Sequence, residues 1–439
     1  MLVAVARSPI ALCTDHPPDA KMVVLGGSNT AGANSVSLTS WGRPHRSFAS
    51  LFSNQLRAAG IAHSVQSNAH GGTGPILAGA CADLFIPAGT RFGTVEFLPN
   101  IGYAKDDEAE LSAIERILAM MRARGAVAFV ISVVPAAARY AHAARSSPCG
   151  RFNASMQDDS VIGCMSRAKA MALRDALAAL AAAHGAHVVE MDAEASPMMF
   201  GADQFHLNQE GHQEVASTMW RRFEALPCLA AAETSSDVGA QAGVACAMGD
   251  QLDSYVRTAR HFARANVASA GQAPKLAWEG TAADAALELA VRLPLEAEAQ
   301  KLARAANLFK WFHKDQVGFR AEDAHFKVGV GFLVSHRHNL PLLGAAHLSC
   351  EGCTCSCAAS DCVFDTLRED LRATVTNFFT LSVNRSGSED DDGTCVVRVA
   401  NANASRTRLI VRALIFGLAD FRTAWLRNPP KAIGHIRRS

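Results

Sequence analysis

From residue 21 to about residue 228 the chain alternates between two hydrophobic periods. Short apolar runs rich in β-branched residues ("MVVLG", "IAHSVQS", "GTVEFL", "AVAFVISVV" and "HVVEM") predict five strands. Between them lie stretches whose apolar residues recur every three or four positions. In "RSFASLFSNQLRAAG", Phe48, Leu51, Phe52 and Leu56 share a helical face and Gly60 supplies a stop. In "DDEAELSAIERILAMMRARG", Leu111, Ile114, Leu118 and Met121 form a similar stripe, with acids leading and arginines trailing as the helix dipole favours. Such stripes read as core. Strands alternating with helices predict right-handed crossovers and a parallel sheet covered on both faces.

The pattern then changes. Residues 229–248 are small and polar without a sustained period, as in a linker. A helical connector is expected over 249–304, read from "AALELAVRLPLEAEAQKLAR" and broken at Pro294. Over 305–425 the runs "FKVGVGFLVSH", "GAAHLSCEG", "FFTLSVN", "TCVVRVAN" and "RLIVRALIFGL" alternate or are β-branched, with turn clusters between them. That predicts a cysteine-rich, β-sandwich-like accessory domain. The fold class expected is α/β over 21–228 followed by a β domain.

Composition narrows the function. The 439 residues carry a formal net charge of +1, which argues against a nucleic-acid partner, since such proteins normally show a basic stripe. The basic tail "KAIGHIRRS" reads as a solvated terminus. No apolar run reaches the roughly 18 residues of a membrane-spanning helix. The segment "MLVAVARSPIALC" lacks the basic start and continuous apolar stretch of a signal peptide. Twelve cysteines, with Cys350, Cys353, Cys355, Cys357 and Cys362 inside thirteen residues, suit an oxidising compartment. A secretory-pathway, extracellular or membrane-associated location is therefore expected. Three Asn-x-Ser sequons, at Asn153, Asn384 and Asn403, add little weight.

Candidate chemistry begins at "KMVVLGGSNTAG", where a strand-like run ends on Ser28 in a turn of small residues. A hydroxyl at the carboxyl end of a parallel strand faces the ligand crevice of an open α/β sheet. Serine is a poor nucleophile unless a histidine takes its proton and a carboxylate orients that histidine. "GADQFHLNQEGHQ" supplies Asp203 three residues before His206, after the fifth strand and on the same sheet edge. "SNAHGGTGP" and "VEFLPNIGY" follow the second and third strands. The N–H of Ser28, the N–H of Gly72 and the side-chain amide of Asn100 can together face a developing oxyanion. Each segment alone is ordinary turn chemistry. Their order along successive strand ends is the signal.

The residues "GGSNT", "GGTG", "EFLPN" and "DQFHLNQEGH" resemble the SGNH or GDSL-type hydrolases, over about residues 21–226. That family's flavodoxin-like, three-layer fold hosts esterases, lipases, thioesterases and carbohydrate O-acetylesterases. The resemblance implies Ser28 as nucleophile, His206 as general base and acid, and Asp203 as its orienter. It also implies Ser28, Gly72 and Asn100 as oxyanion donors, with Gly71 an alternative register for Gly72, and no cofactor. Two departures stand out: Gly27 replaces the usual Asp before the serine, and Leu98-Pro99-Asn100-Ile101 replaces Gly-x-Asn-Asp. No Gly-x-Ser-x-Gly elbow occurs. The expected activity is hydrolysis of an acyl ester, with O-acetyl on a glycan as the expected substrate. The alternatives are acyl transfer with the same residues, or a glycan-binding protein with a degenerate site.

"CEGCTCSCAASDC" admits both zinc ligation and disulfides. The β context favours disulfides, with Cys353, Cys355 and Cys357 alternating along one strand and Cys395 a candidate partner. The region 305–416, through "HLSCEGCTC" and "GTCVVRVA", is similar to a module C-terminal to SGNH domains in algal and plant-like proteins. That likeness implies an accessory domain that touches glycans. Trp311 and Phe312 are candidates for an aromatic platform, or else core residues.

Overall fold

A computed structural model describes residues 20–32, 46–69, 74–101, 107–136, 167–201, 205–226, 244–267, 275–293, 325–335, 340–357, 361–367, 375–385 and 393–419. Gly72, Asp203, Asn153, Trp311 and Phe312 lie outside them. The chain divides into two compact units at Ser236/Asp237.

The first unit is built on five parallel strands, β1 (Lys21–Gly26), β2 (Ser64–Ala69), β3 (Thr90–Glu96), β4 (Val127–Val134) and β5 (His187–Asp192). Their spatial order is β2-β1-β3-β4-β5, the flavodoxin-like order. Strand β1 shows why the run "MVVL" is apolar throughout. Met22 and Val24 enter one core with Phe48, Phe52, Met219 and Phe223. Val23 and Leu25 enter the opposite core with Ile114, Leu118, Met121 and Leu173. Successive side chains point to opposite faces, so a strand covered on both faces needs apolar residues at every position.

The helices that cover the sheet are α1 (Phe48–Ala58), α2 (Asp107–Ala123), α3 (Arg167–Ala183) and α4 (Gln209–Glu224), with short turns at 76–80 and 82–85. Ser47 caps α1 by accepting from the Ser50 N–H. Gly60, at φ +83°, ends that segment in the left-handed region. Phe48, Phe52 and Leu56 are fully buried, so the predicted stripe is the face that packs. Full burial of each such side chain contributes about 1.5–3 kcal/mol.

The second unit is an antiparallel sandwich, and it corrects two expectations. The predicted helical connector is mostly strand. Residues 249–293 hold only one short helix, Asp250–Asp253, among those described. The linker 229–248 contains β6 (Val244–Met248), followed by β7 (Val256–Arg260), β8 (Phe262–Asn266), β9 (Leu276–Gly280) and β10 (Ala286–Arg292). In β10 Leu287, Leu289 and Val291 are buried at alternate positions, with half-buried or exposed residues between them from Glu288 to Arg292. Its neighbours β16 and β7 satisfy the backbone on both sides, and that pairing overrides the helix propensity of Ala, Leu and Glu. The β domain thus begins near residue 244 rather than 305.

The remaining strands are β11 (His325–Val334), β12 (Ala345–Glu351), β13 (Cys353–Ser356), β14 (Val363–Asp365), β15 (Val375–Arg385), β16 (Thr394–Asn401) and β17 (Leu409–Ala419). One sheet runs β14-β12-β16-β10-β7; the other runs β13-β15-β11-β17-β9-β8, with β6 also paired to β17. Phe364 of the first sheet packs on Phe332 and Phe379 of the second. The clustered cysteines are disulfides: Cys350–Cys355, Cys353–Cys395 and Cys357–Cys362. Cys353–Cys395 ties β13 of one sheet to β16 of the other, so Cys395, a candidate partner of the alternating cysteines, pairs with the first of them. Cys81 and Cys246 are disulfide-bonded too.

Candidate active site

Strand β1 ends at Gly26, and Ser28 sits in the turn that follows, held by Ala31 N–H to Gly27 O (3.1 Å) and Gly32 N–H to Asn29 O (3.0 Å). Ser28 is only 5 % exposed. Its Oγ lies 2.7 Å from Nε2 of His206, although 178 residues separate the two. In the imidazole tautomer protonated at Nδ1, the hydroxyl donates to Nε2, the geometry of a nucleophile beside its base.

The histidine loop is anchored from three sides. The Leu207 N–H donates to Asn29 Oδ1 at 2.8 Å, which joins the residue after His206 to the residue after Ser28. Asn208 caps α4 by accepting from the Gly211 N–H at 2.9 Å, while its Nδ2 donates to Met198 O and Phe200 O. A Cβ on Gly211 would stand 2.1 Å from Met199 O, so only glycine lets α4 start against that turn. The Phe205 ring meets the His206 ring edge-on at 4.7 Å. His212, six residues beyond His206, is fully buried in α4, where its Nδ1 accepts from the Phe48 N–H at 3.3 Å. It serves the packing of α1 on α4.

Asn100 closes a short turn after β3, Leu98–Asn100, through its N–H to Phe97 O at 2.7 Å. Its amide lies directly over Gly27: a Cβ there would stand 2.0 Å from Asn100 Oδ1. The absence of the usual Asp before the serine therefore makes room for Asn100. Gly74 has Asn100 O among its near neighbours, 3.7 Å from where its Cβ would be, so the chain just past Gly72 passes the same corner.

Sequence reasoning passed over Glu96, the last residue of β3. It is fully buried, and its Oε2 accepts from Thr30 Oγ1 (2.9 Å) and the Thr30 N–H (3.3 Å), while its backbone carbonyl accepts from the Gly27 N–H. Both ends of the turn that carries Ser28 hang on this residue. Among the described residues its Oε1 has no partner at hydrogen-bond distance, although the Asn29 side-chain amide lies near enough to favour the charged carboxylate. Burial raises the carboxyl to about 7, outweighing the bonds from Thr30 that favour the charged form. The signal was available: a carboxylate ends a run, "GTVEFL", that is otherwise built for burial.

A second Ser–His pair, Ser53 Oγ to His63 Nε2 at 2.8 Å, shows that distance alone does not define a site. Ser53 lies in the middle of α1 and is 2 % exposed, away from any strand end. Among the described residues, the grouped metal-ligand types are Cys350, Cys353 and Cys395, all held in disulfides.

No protein-family model and no curated protein sequence matches the chain. Among solved structures, a two-domain esterase active on acetylated mannans aligns over 91 % of this chain and 92 % of its own, at 11 % identity and a TM-score of 0.49. Est24, a carbohydrate acetylesterase from Sinorhizobium meliloti, aligns over 48 % of this chain and 100 % of its own, at 10 % identity and a TM-score of 0.34. Axe2, an acetylxylan esterase from Geobacillus stearothermophilus, aligns over 47 % and 95 %, at 12 % identity and a TM-score of 0.33. The fold assignment rests on the strand order and layers described above.

Proposed function

We propose that this chain is a serine ester hydrolase of the SGNH type, acting on a short acyl ester such as O-acetyl on a glycan. The observation that carries the reading is the 2.7 Å approach of Ser28 Oγ to His206 Nε2 at the carboxyl edge of a parallel sheet. Ser28 attacks the ester carbonyl as its proton passes to His206. The imidazolium then protonates the leaving alkoxide, and an acyl-enzyme remains. Water, deprotonated by His206, attacks that ester; the acid leaves and Ser28 regains its proton. The Ser28 N–H, the Gly72 N–H and the Asn100 amide are assigned to the oxyanion, and Asp203 to the far imidazole nitrogen. The glycan part of the reading rests on the sequence resemblance.

The test is labelling by a fluorophosphonate with identification of the modified peptide, alongside acetate release from acetylated mannan and xylan. Ser28 should be the labelled residue, and Ser28→Ala should lose both labelling and hydrolysis. Ser53→Ala should keep both. Labelling elsewhere with an active Ser28→Ala enzyme refutes the assignment.

A further inference from the structure

Arginines in the sandwich unit are commonly met by acids. Arg406 donates to Asp365 at 2.7 Å, Arg408 Nε reaches Glu279, and Arg264 is paired with Asp250 and Asp253. Arg412 and Lys275 are different.

Arg412 is the extra residue of a β-bulge. Gly331 pairs with Ala413 and Phe332 with Val411, which leaves Arg412 without a partner across the ladder. Bulges re-aim a side chain, and here the residue is an arginine that is 4 % exposed. Its Nη1 donates to Thr376 Oγ1 at 3.2 Å, and its Nε is buried with no acceptor among the described residues. Lys275 stands one residue before β9 and is half-buried. The β9–β17 register ends at Val411 opposite Trp278. Lys275, three residues before Trp278, lies close enough to Arg412 to feel its charge. Ala277, Ile410, Leu333 and Leu343 form an apolar patch.

Among the described residues, no carboxylate compensates either cation. Burial lowers Arg412 to about 10. Burial, and then the charge of Arg412, lower Lys275 to about 8. Both remain mainly charged at pH 7. Two neighbouring cations held out of water without a counter-charge are costly, because desolvation and mutual repulsion add. An oxyanion removes both costs. Nη1 is engaged by Thr376 and Nε lacks an acceptor among the described residues, so an anion can take the Nε edge of the guanidinium, where two oxygens match two parallel donors.

We propose that Arg412, Lys275 and Thr376 form a binding site for a single oxyanion group, a carboxylate or sulfate of the kind acidic glycans carry. The site is independent of the hydrolase reading, since none of its residues belongs to the Ser28 machinery. Calorimetric titration of the full chain with sodium sulfate and with sodium glucuronate, at constant ionic strength in chloride, tests it. Saturable one-site binding of at least one is expected; glucuronate alone marks a uronate site, sulfate alone a sulfated one, both a general oxyanion site. Arg412→Gln and Lys275→Gln should each weaken it by about tenfold or more, and Ser28→Ala should leave it unchanged. Lys275 is less buried, so Lys275→Gln carries the test should Arg412→Gln fail to fold. No saturable heat with either salt, or binding untouched by Lys275→Gln, overturns the proposal.

Discussion

Replacing Glu96 by Gln separates a buried charge from the hydrogen bonds that surround it. Thr30 donates twice to Oε2, and the carbonyl oxygen of a glutamine can accept both bonds. What Gln lacks is ionisation. In the folded chain the carboxyl rises from 4.5 to about 7. As pH increases, the unfolded chain gives up this proton first. Between about pH 4.5 and 7 the native state therefore holds more protons than the unfolded state, and stability falls as pH rises. Below that window both states are protonated; above it both are ionised, and the dependence levels off. At 1.36 kcal/mol per pK unit the loss reaches about 3 kcal/mol above pH 7.

Whatever constant offset the amide brings, the stability of Glu96→Gln relative to wild type should improve by about 3 kcal/mol from pH 4 to pH 8. Other titrating groups are common to both proteins and cancel in the difference. The assay is denaturant unfolding of the full chain at a series of pH values. Hydrogen–deuterium exchange on peptides covering β1 and β3 then follows the first unit separately from the sandwich. A difference that does not change with pH would mean that Glu96 titrates normally. A difference of opposite slope would mean that the bonds from Thr30 outweigh burial and hold the carboxylate charged. Either result defeats the account of this site's electrostatics.

Gly27→Ala should lower acyl-ester hydrolysis by about tenfold or more, since its Cβ would stand 2.0 Å from Asn100 Oδ1 and must displace an assigned oxyanion donor; steady-state kinetics checks this. Replacing Cys353 and Cys395 together by Ser should destabilise the sandwich more than replacing Cys350 and Cys355. Their separation of 42 residues corresponds to about 4 kcal/mol of loop-closure entropy, against about 2 kcal/mol for Cys350 and Cys355 at a separation of 5. Calorimetry of the two double variants gives the order directly.

The parallel sheet was legible because both its faces are covered. Strands such as β4, buried at every position, leave a continuous apolar signature that no surface element shares. Ser28, Asn100 and His206 were legible through topology, since each follows a strand end on one edge. Strand β10 was not. "ALELAVR" satisfies the helix formers' preferences, and only its period of two, with Leu287, Leu289 and Val291 inward, betrays the strand. Pairing with β16 and β7, remote in sequence, decides the outcome. Glu96 and Arg412 were missed for a shared reason. Each is a charge inside a run that otherwise reads as buried strand, "GTVEFL" and "RLIVRALIFGL", and a reading for periodicity passes over such residues as noise. Buried charge is rare enough that the position itself is the information.

Gly27 and the segment Leu98-Pro99-Asn100 read as two separate losses from a family pattern, each of which weakens the likeness. In space they form one arrangement. The turn after β3 lays the Asn100 amide over the α-carbon of Gly27, where any side chain, the usual Asp included, would collide with it. A side chain at position 27 and this placement of the Asn100 amide exclude each other. Glu96 completes the arrangement from below, since its backbone carbonyl accepts the Gly27 N–H at 3.0 Å while its side chain holds Thr30. The strand that delivers Asn100 thus also fixes the turn that carries Ser28. A motif scored position by position counts Gly27 as a defect, whereas packing makes it the position over which the Asn100 amide lies, next to the serine whose Oγ meets His206.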